Sequence, residues 1–216
     1  MNICIVGAGW YGCHLAAIAL EAGNKVTIYE RENCVFAEAS GNNQNRLHLG
    51  FHYPRAFETR IQSKFGFDWF LDRYATLTRS IKNNFYGISE NDSLLDFATY
   101  EQIMKSSGLN FSRVNNDFGF RGLSQIIQVD ERLILTNKAK KYFTNLLKSQ
   151  INFNQNVDLS DGGVEQLKKS FDLIVDCTWR TADPNDNNKF YYEPCIYFKY
   201  KKKEIIDIAL TIMDGP

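Results

Sequence analysis

The sequence has no charge bias: 25 basic residues stand against 25 acidic ones, for a net charge of zero. Without a basic stripe it carries no electrostatic footprint for a nucleic-acid backbone or an anionic membrane surface. Its one basic run, Lys199 to Lys203, is short, is broken by Tyr200 and reads as a solvated strand end. No apolar run reaches the roughly 18 residues of a membrane span, and with an apolar strand at the very start no signal peptide is expected. None of the five cysteines (Cys4, Cys13, Cys34, Cys177, Cys195) forms a CxxC pair, so reduced thiols in the cytoplasm are expected. The histidines, His14, His48 and His52, lack paired metal-ligand spacing, and no metal site is expected. There is no internal repeat and no low-complexity tract. What remains is an ordinary globular composition, 44% hydrophobic over 216 residues, enough for a packed core.

Against that plain background one segment is specific. Between Ile3 and Glu30 an apolar strand leads into Gly7-Ala8-Gly9-Trp10-Tyr11-Gly12, then a helix holding Ala16, a turn at Gly23 and a second strand ending in an acid. The chemistry dictates the spacing. Gly7 permits the sharp exit from the strand, Gly9 lets the backbone approach a pyrophosphate, and Gly12 lets the helix lie close to the sheet. The helix N-terminus then presents unpaired amides and the positive end of its dipole to the phosphates. Glu30, 18 residues beyond Gly12, falls where a carboxylate accepts hydrogen bonds from the adenosine ribose. A 2′-phosphate there would meet a like charge, with Arg31 alongside as the only counterweight.

Downstream, the polar stretch Arg31 to Asn45 is too long for a simple turn, and such loops in compact domains are usually functional. The spacing of Phe57, Ile61, Phe65, Trp69, Tyr74, Leu77 and Ile81 predicts a helical region from Ala56 to Ile81, with these aromatics in the core and Gly66 at a kink. Short apolar segments at Phe85 to Ile88 and Leu94 to Ala98 follow. Thr99 with Gln102 reads as a capping box for a brief helix to Ser107. Gln125 to Val129 and Leu133 to Leu135 read as strands, Asn137 to Leu147 as an amphipathic helix, and Ile151 to Phe153 as a further strand. Phe171 to Cys177 reads as a fully buried parallel strand returning to the first sheet. A polar linker at residues 183–189 precedes strands at Cys195 to Tyr200 and Ile205 to Met213.

These residues together resemble a known family. The N-terminal unit, Ser40-Gly41-Asn42-Asn43, the run Leu47-His48-Leu49-Gly50-Phe51-His52-Tyr53-Pro54 and the segment Ile174-Val175-Asp176-Cys177-Thr178 resemble FAD-dependent oxidoreductases of the D-amino-acid oxidase and glycine oxidase type. The segment from Ser40 to Gly50 resembles in particular the L-2-hydroxyglutarate oxidase branch. The resemblance implies an α/β chain: a Rossmann-type, glutathione-reductase-like FAD-binding domain with an inserted α+β substrate domain, incomplete at its C-terminal end. The implied division is 1–60 and 136–182 for the FAD-binding domain, 61–135 for the insert with its helical connection, and 183–216 for further substrate-domain strands.

The same resemblance implies FAD as cofactor, cradled by Gly7, Gly9 and Gly12 and held at the ribose by Glu30, with Arg31 beside it. Ser40 and Asn43 would lie along the pyrophosphate and ribityl chain, Val157 would meet the adenine through its backbone, and Thr178 would follow the returning strand. Trp179 departs from the glycine expected next. Family members are longer, so the 216-residue stretch alone is expected to lack turnover and to self-associate through an exposed sheet edge as a homo-oligomer.

In such enzymes the cofactor performs the redox step while the protein orients and polarises the substrate. Arg46, His48, His52, Tyr53 and Arg55 cluster within ten residues after the loop. Arg46 or Arg55 could grip a substrate carboxylate, or Arg46 could brace the loop, and His48 could polarise or deprotonate an amine or hydroxyl. His48 and Arg46 are the catalytic candidates, and a small amino or hydroxy acid (or a related amine) is the expected substrate. A nicotinamide-dependent dehydrogenase would use the same Gly7 to Glu30 unit without needing the long loop. A flavin-dependent sugar mutase and an inactive truncated nucleotide-binding module are the remaining alternatives.

Overall fold

The structure is a computed structural model that describes residues 1–91, 93–178, 198 and 207–213. The chain forms two compact units, one from Met1–Gln44 with Thr136–Lys199 and the other from Asn45–Leu135 with Tyr200–Pro216.

In the first unit the apolar run Asn2–Val6 forms strand β1, whose last four residues are buried. Helix α1 follows at Trp10–Glu21 and buries Gly12, Cys13, Ala16, Ala17 and Ala19. This small-residue face lets the helix lie near the sheet. Gly23, with φ 77°, closes the turn by donating its amide to the Leu20 carbonyl at 2.9 Å, and β2 (Lys25–Tyr29) pairs parallel with β1. Two later strands join from the far side of the chain: β9 (Ile151–Asn152) beside β2, and β10 (Leu173–Asp176) beside β1. The order is β10-β1-β2-β9, all parallel, the right arrangement for a nucleotide-binding sheet. Helices α4 (Thr136–Leu146) and α5 (Asp161–Leu167) lie in the connections.

The second unit holds two sheets. Strands β5 (Asn83–Ser89), β6 (Phe111–Val114), β7 (Leu123–Val129) and β11 (Ile208–Met213) form one in the order β11-β5-β7-β6, with β11 parallel to β5 and the other pairs antiparallel. Strands β3 (Arg46–Leu47), β4 (Thr78–Ser80) and β8 (Arg132–Ile134) form the other, with β8 between its neighbours. Helix α2 occupies Phe57–Tyr74 and α3 Phe97–Ser106. The main core gathers Phe51, Tyr86, Ile88, Phe97, Tyr100, Met104, Leu109, Ile127 and Val129.

Several sequence expectations change here. The helix expected through Ile81 ends at Tyr74 in a 3₁₀ turn (Ala75–Leu77), because residues 78–80 are drawn into β4 by pairing with β8. Its aromatics divide: Phe67 and Tyr74 share a buried stripe with Arg60, at steps of seven, whereas Phe57, Phe65 and Trp69 lie on another face and are exposed. Gly66 sits inside the unbroken helix. Asp96, not Thr99, caps α3, its carboxylate accepting from the Thr99 amide at 2.7 Å. The returning strand β10 is half-buried, not fully buried, and Leu173 remains 44% exposed, since among the described residues β10 has a neighbour on one side only. Residues 45–60 belong to the second unit, not to the nucleotide unit, because β3 pairs with β8. The linker at 183–189, Trp179, Cys195 and, apart from Phe198, the strand expected at Cys195 to Tyr200 lie outside the described residues.

Candidate functional site

In the first unit the glycine motif does what its spacing requires. Gly7 has φ 101°, a conformation open to glycine, and a Cβ there would stand 2.9 Å from the Cys177 carbonyl oxygen. A Cβ on Gly12 would stand 1.9 Å from the Gly7 carbonyl oxygen, so only glycine lets α1 begin this close to β1. Gly9 is the N-cap of α1 and offers no capping side chain; nor is there an acid in the first turn. The positive end of the helix is therefore left for an external anion. Ser40 comes over this terminus, its Oγ accepting from the Trp10 amide at 3.0 Å, and it would stand 3.0 Å from a Cβ on Gly9.

Glu30 lies at the end of β2, 8% exposed, and its two oxygens take amides from opposite sides: Ala8 donates at 2.6 Å and Glu32 at 2.9 Å. The acid thereby ties the glycine loop to the start of the following loop and keeps lone pairs for a ribose. Arg31 is exposed and engaged with Glu38 at 2.5 Å and Glu32 at 3.2 Å. Asn43 donates to the Ala39 carbonyl at 2.8 Å and so braces its own loop. Val157 is half-buried beyond β9. Thr178 turns back on Asp176, donating its amide at 2.7 Å and its hydroxyl at 2.6 Å to one carboxylate oxygen. Burial pushes the Cys4 thiol up to about 11, and burial with the nearby Glu30 charge pushes Cys13 up to about 12, which disfavours the thiolate at both. These residues suit a dinucleotide such as FAD: at Gly7 and Gly12 backbone occupies the place of a side chain, so β1 and α1 meet closely, and Gly9 puts no side chain at the end of α1.

In the second unit Arg46 and His48 converge on a residue that the sequence reading passed over, Glu131. The register Arg46↔Leu133, Leu47↔Arg132, continued by one residue, brings His48 opposite Glu131. The Glu131 side chain is fully buried, and its oxygens accept from the Leu49 amide at 2.8 Å and the Tyr86 hydroxyl at 2.8 Å, while His48 Nδ1 stands at 3.3 Å and an Arg46 Nη at 3.2 Å. Burial alone would raise the Glu131 carboxyl, but the His48 contact with the Leu49 and Tyr86 hydrogen bonds outweighs it and holds the group below the usual range. Burial beside that carboxylate raises the Tyr86 hydroxyl far above its usual value.

Arg46 is 7% exposed and also donates to Asn84 at 2.5 Å. One of its Nη atoms is held in this network, while its Nε is buried without a hydrogen-bond partner among the described residues. A carboxylate only accepts, so the contact with Glu131 calls for a ring proton on His48 Nδ1. His52 stacks on His48 with centroids 5.3 Å apart, and burial followed by the neighbouring His48 lowers its pKa. Beside them His52, Tyr53, Arg55, Leu94, Leu95 and Met213 line a cleft of about 210 Å³. Among the described residues no cluster of His, Cys, Asp or Glu could hold a metal ion, and no helix is long and apolar enough to cross a membrane.

A parallel dinucleotide-binding sheet with an α+β unit inserted between its second and third strands defines a Rossmann-type oxidoreductase architecture. Comparison with known proteins narrows the class. Residues 2–107 match the family described as DAO, FAD dependent oxidoreductase. The chain is 39% identical to the FAD-dependent monooxygenase FPY4 of Fusarium mangiferae over 216 residues, covering 98% of this chain and 58% of that protein. It is 36% identical over 94 residues to the FAD-dependent monooxygenase kojA of Aspergillus flavus, covering 44% of this chain and 22% of that protein. The fold is shared with the FAD-bound L-alpha-glycerophosphate oxidase of Mycoplasma pneumoniae (TM-score 0.55, 18% identity, 72% of this chain and 45% of that one). L-amino acid deaminase of Proteus vulgaris is similar to the same degree (TM-score 0.56, 15% identity, 74% and 47%). Residues 2–107 thus match a DAO-family FAD-dependent oxidoreductase domain, and the chain spans 58% of the length of the Fusarium relative.

Proposed function

We propose that this protein oxidises a small amino or hydroxy acid, or a related amine, using FAD held by the first unit. FAD, when bound, supplies the two-electron acceptor. The observation that carries the reading is the glycine cradle at the start of a helix with no acid in its first turn and no side chain at its N-cap, closed by Glu30 and Ser40. In this reading Glu30 accepts from the adenosine ribose, Ser40 and Asn43 shape the loop along the diphosphate, and the ends of β9 and β10 bring Val157 and Thr178 to the cofactor. His48 takes the proton from the substrate amine or hydroxyl at Nε2, with Glu131 fixing the ring through Nδ1. The cleft beside His52 and Tyr53 is small enough to favour a substrate of few heavy atoms.

The likeness to the FAD-dependent monooxygenases FPY4 and kojA favours a second reading, oxygen insertion by a monooxygenase. Anaerobic mixing of the full-length, FAD-loaded protein with a panel of amino and hydroxy acids separates the two. Bleaching of the flavin absorbance by one of them without a nicotinamide supports the first reading, with His48→Ala slowing the bleaching while flavin content stays intact. Bleaching by NADPH alone supports the second.

A further inference from the structure

The half-buried side chain of Lys140 ends on the loop that the cofactor reading uses. Its Nζ lies 3.2 Å from the place a Cβ on Gly41 would occupy, next to Ser40, whose hydroxyl caps the Trp10 amide at 3.0 Å. Both sides of this contact are fixed. On α4, Ala139 and Phe143 are fully buried, and Phe143 packs edge-on against Trp10 at 5.3 Å and tilted against Phe36 at 5.6 Å. Trp10 and Phe36 in turn lie 4.9 Å apart, so one aromatic trio clamps α4, the start of α1 and the loop together. On the loop, the Phe36 carbonyl is so close to Gly41 that a Cβ would stand 2.0 Å from it. Lys140 sits one turn before Phe143 and is carried to the Ser40–Gly41 turn by that packing.

The charge there is unspent. Lys140 makes no ion pair or hydrogen bond among the described residues, whereas Arg31 is engaged by Glu38 and Glu32. Nothing in the sequence marked Lys140, which reads as one of several lysines on the polar face of an amphipathic helix. We propose that Lys140 binds the diphosphate of the dinucleotide, its ammonium serving as the mobile cation for a site whose other donors are fixed amides and a hydroxyl. The inference rests on the assignment of the first unit to FAD, and it names a binding residue from a distant part of the chain. An ammonium on a flexible stem suits a diphosphate approached as a point charge.

The test uses ADP and adenosine as probes, titrated calorimetrically into the 216-residue chain and its Lys140→Met and Lys140→Arg variants, with circular dichroism to confirm that each is folded. Loss of one charge-assisted contact is expected to weaken ADP about tenfold in Lys140→Met, with less loss at high salt. Adenosine, which lacks the diphosphate, is expected to bind all three forms alike, and Lys140→Arg to keep most of the ADP affinity. Equal ADP affinity in Lys140→Met overturns the inference, as does an equal weakening of adenosine, which marks a structural effect. Failure of the unaltered chain to bind ADP at all overturns the FAD assignment beneath it.

Discussion

Glu131 accepts the hydroxyl proton of Tyr86 at 2.8 Å in a setting where the carboxylate side chain is fully buried and Arg46 is its cationic partner. Breaking such a pair from one side leaves an uncompensated buried charge. Glu131→Leu is expected to cost about 3–5 kcal/mol, and Glu131→Leu with Arg46→Met considerably less, because the double variant removes both charges. Urea unfolding of the two variants checks the difference.

Acid should unfold the second unit through the same carboxylate and one other. Glu131 is held below its usual value, and hydrogen bonds from Arg113, opposed by burial and aided by Lys105, hold Glu101 down to about 2. A carboxyl whose folded pKa is depressed adds stability that is full above its unfolded value, near 4.5, and is lost as the pH falls through the folded one. Stability is therefore expected to fall between about pH 4.5 and 2, and Glu101→Gln to flatten that decline. Thermal melts across this window measure it.

Gly12→Ala places a methyl group 1.9 Å from the Gly7 carbonyl oxygen, which must move together with α1. Overpacking against backbone is expected to cost about 1–3 kcal/mol and to abolish dinucleotide binding, because the cradle and the helix end shift together. Gly66→Ala is the control: nothing lies within 4 Å of that position, and a helix gains from the change.

The parts of the fold that were legible were the locally coded ones. The β1–α1–β2 unit needs only its own residues, and strands β5 and β7 and helix α4 announce themselves by pattern. Helix α5 was missed because Gly162 and Gly163 in its first turn hide the helical signal, and β6 because its four residues, Phe-Ser-Arg-Val, show too little pattern. Trp69 read as core since spacing reveals a stripe but not which stripe a partner covers. Glu131 could not be singled out. Beside Asp130 it looks like turn polarity, and its role exists only once β8 pairs with β3 and Tyr86 arrives from β5. Lys140 is the same case, made significant by the packing of Phe143 on Trp10 and Phe36.

The exposed aromatic face of α2 should govern solution behaviour. Trp69 is 79% exposed and Phe65 65%. Trp69→Lys is expected to leave stability within about 0.5 kcal/mol and to raise the concentration at which the chain stays dispersed. Light scattering checks the second effect and chemical denaturation the first.

Glu30→Gln keeps the shape of the acid but removes the charge that its two amide bonds and the ribose would share. Hydrogen bonds to a charged acceptor are worth roughly 1.5–3 kcal/mol, so FAD affinity is expected to fall more than tenfold. An unchanged dissociation constant would put the acid off the ribose.

The most direct test of the account is calorimetric titration of the purified chain with FAD, NADH and NADPH under one set of conditions. One FAD per chain, bound far more tightly than either nicotinamide, is the expected result. Tight binding of NADPH with no binding of FAD would contradict it.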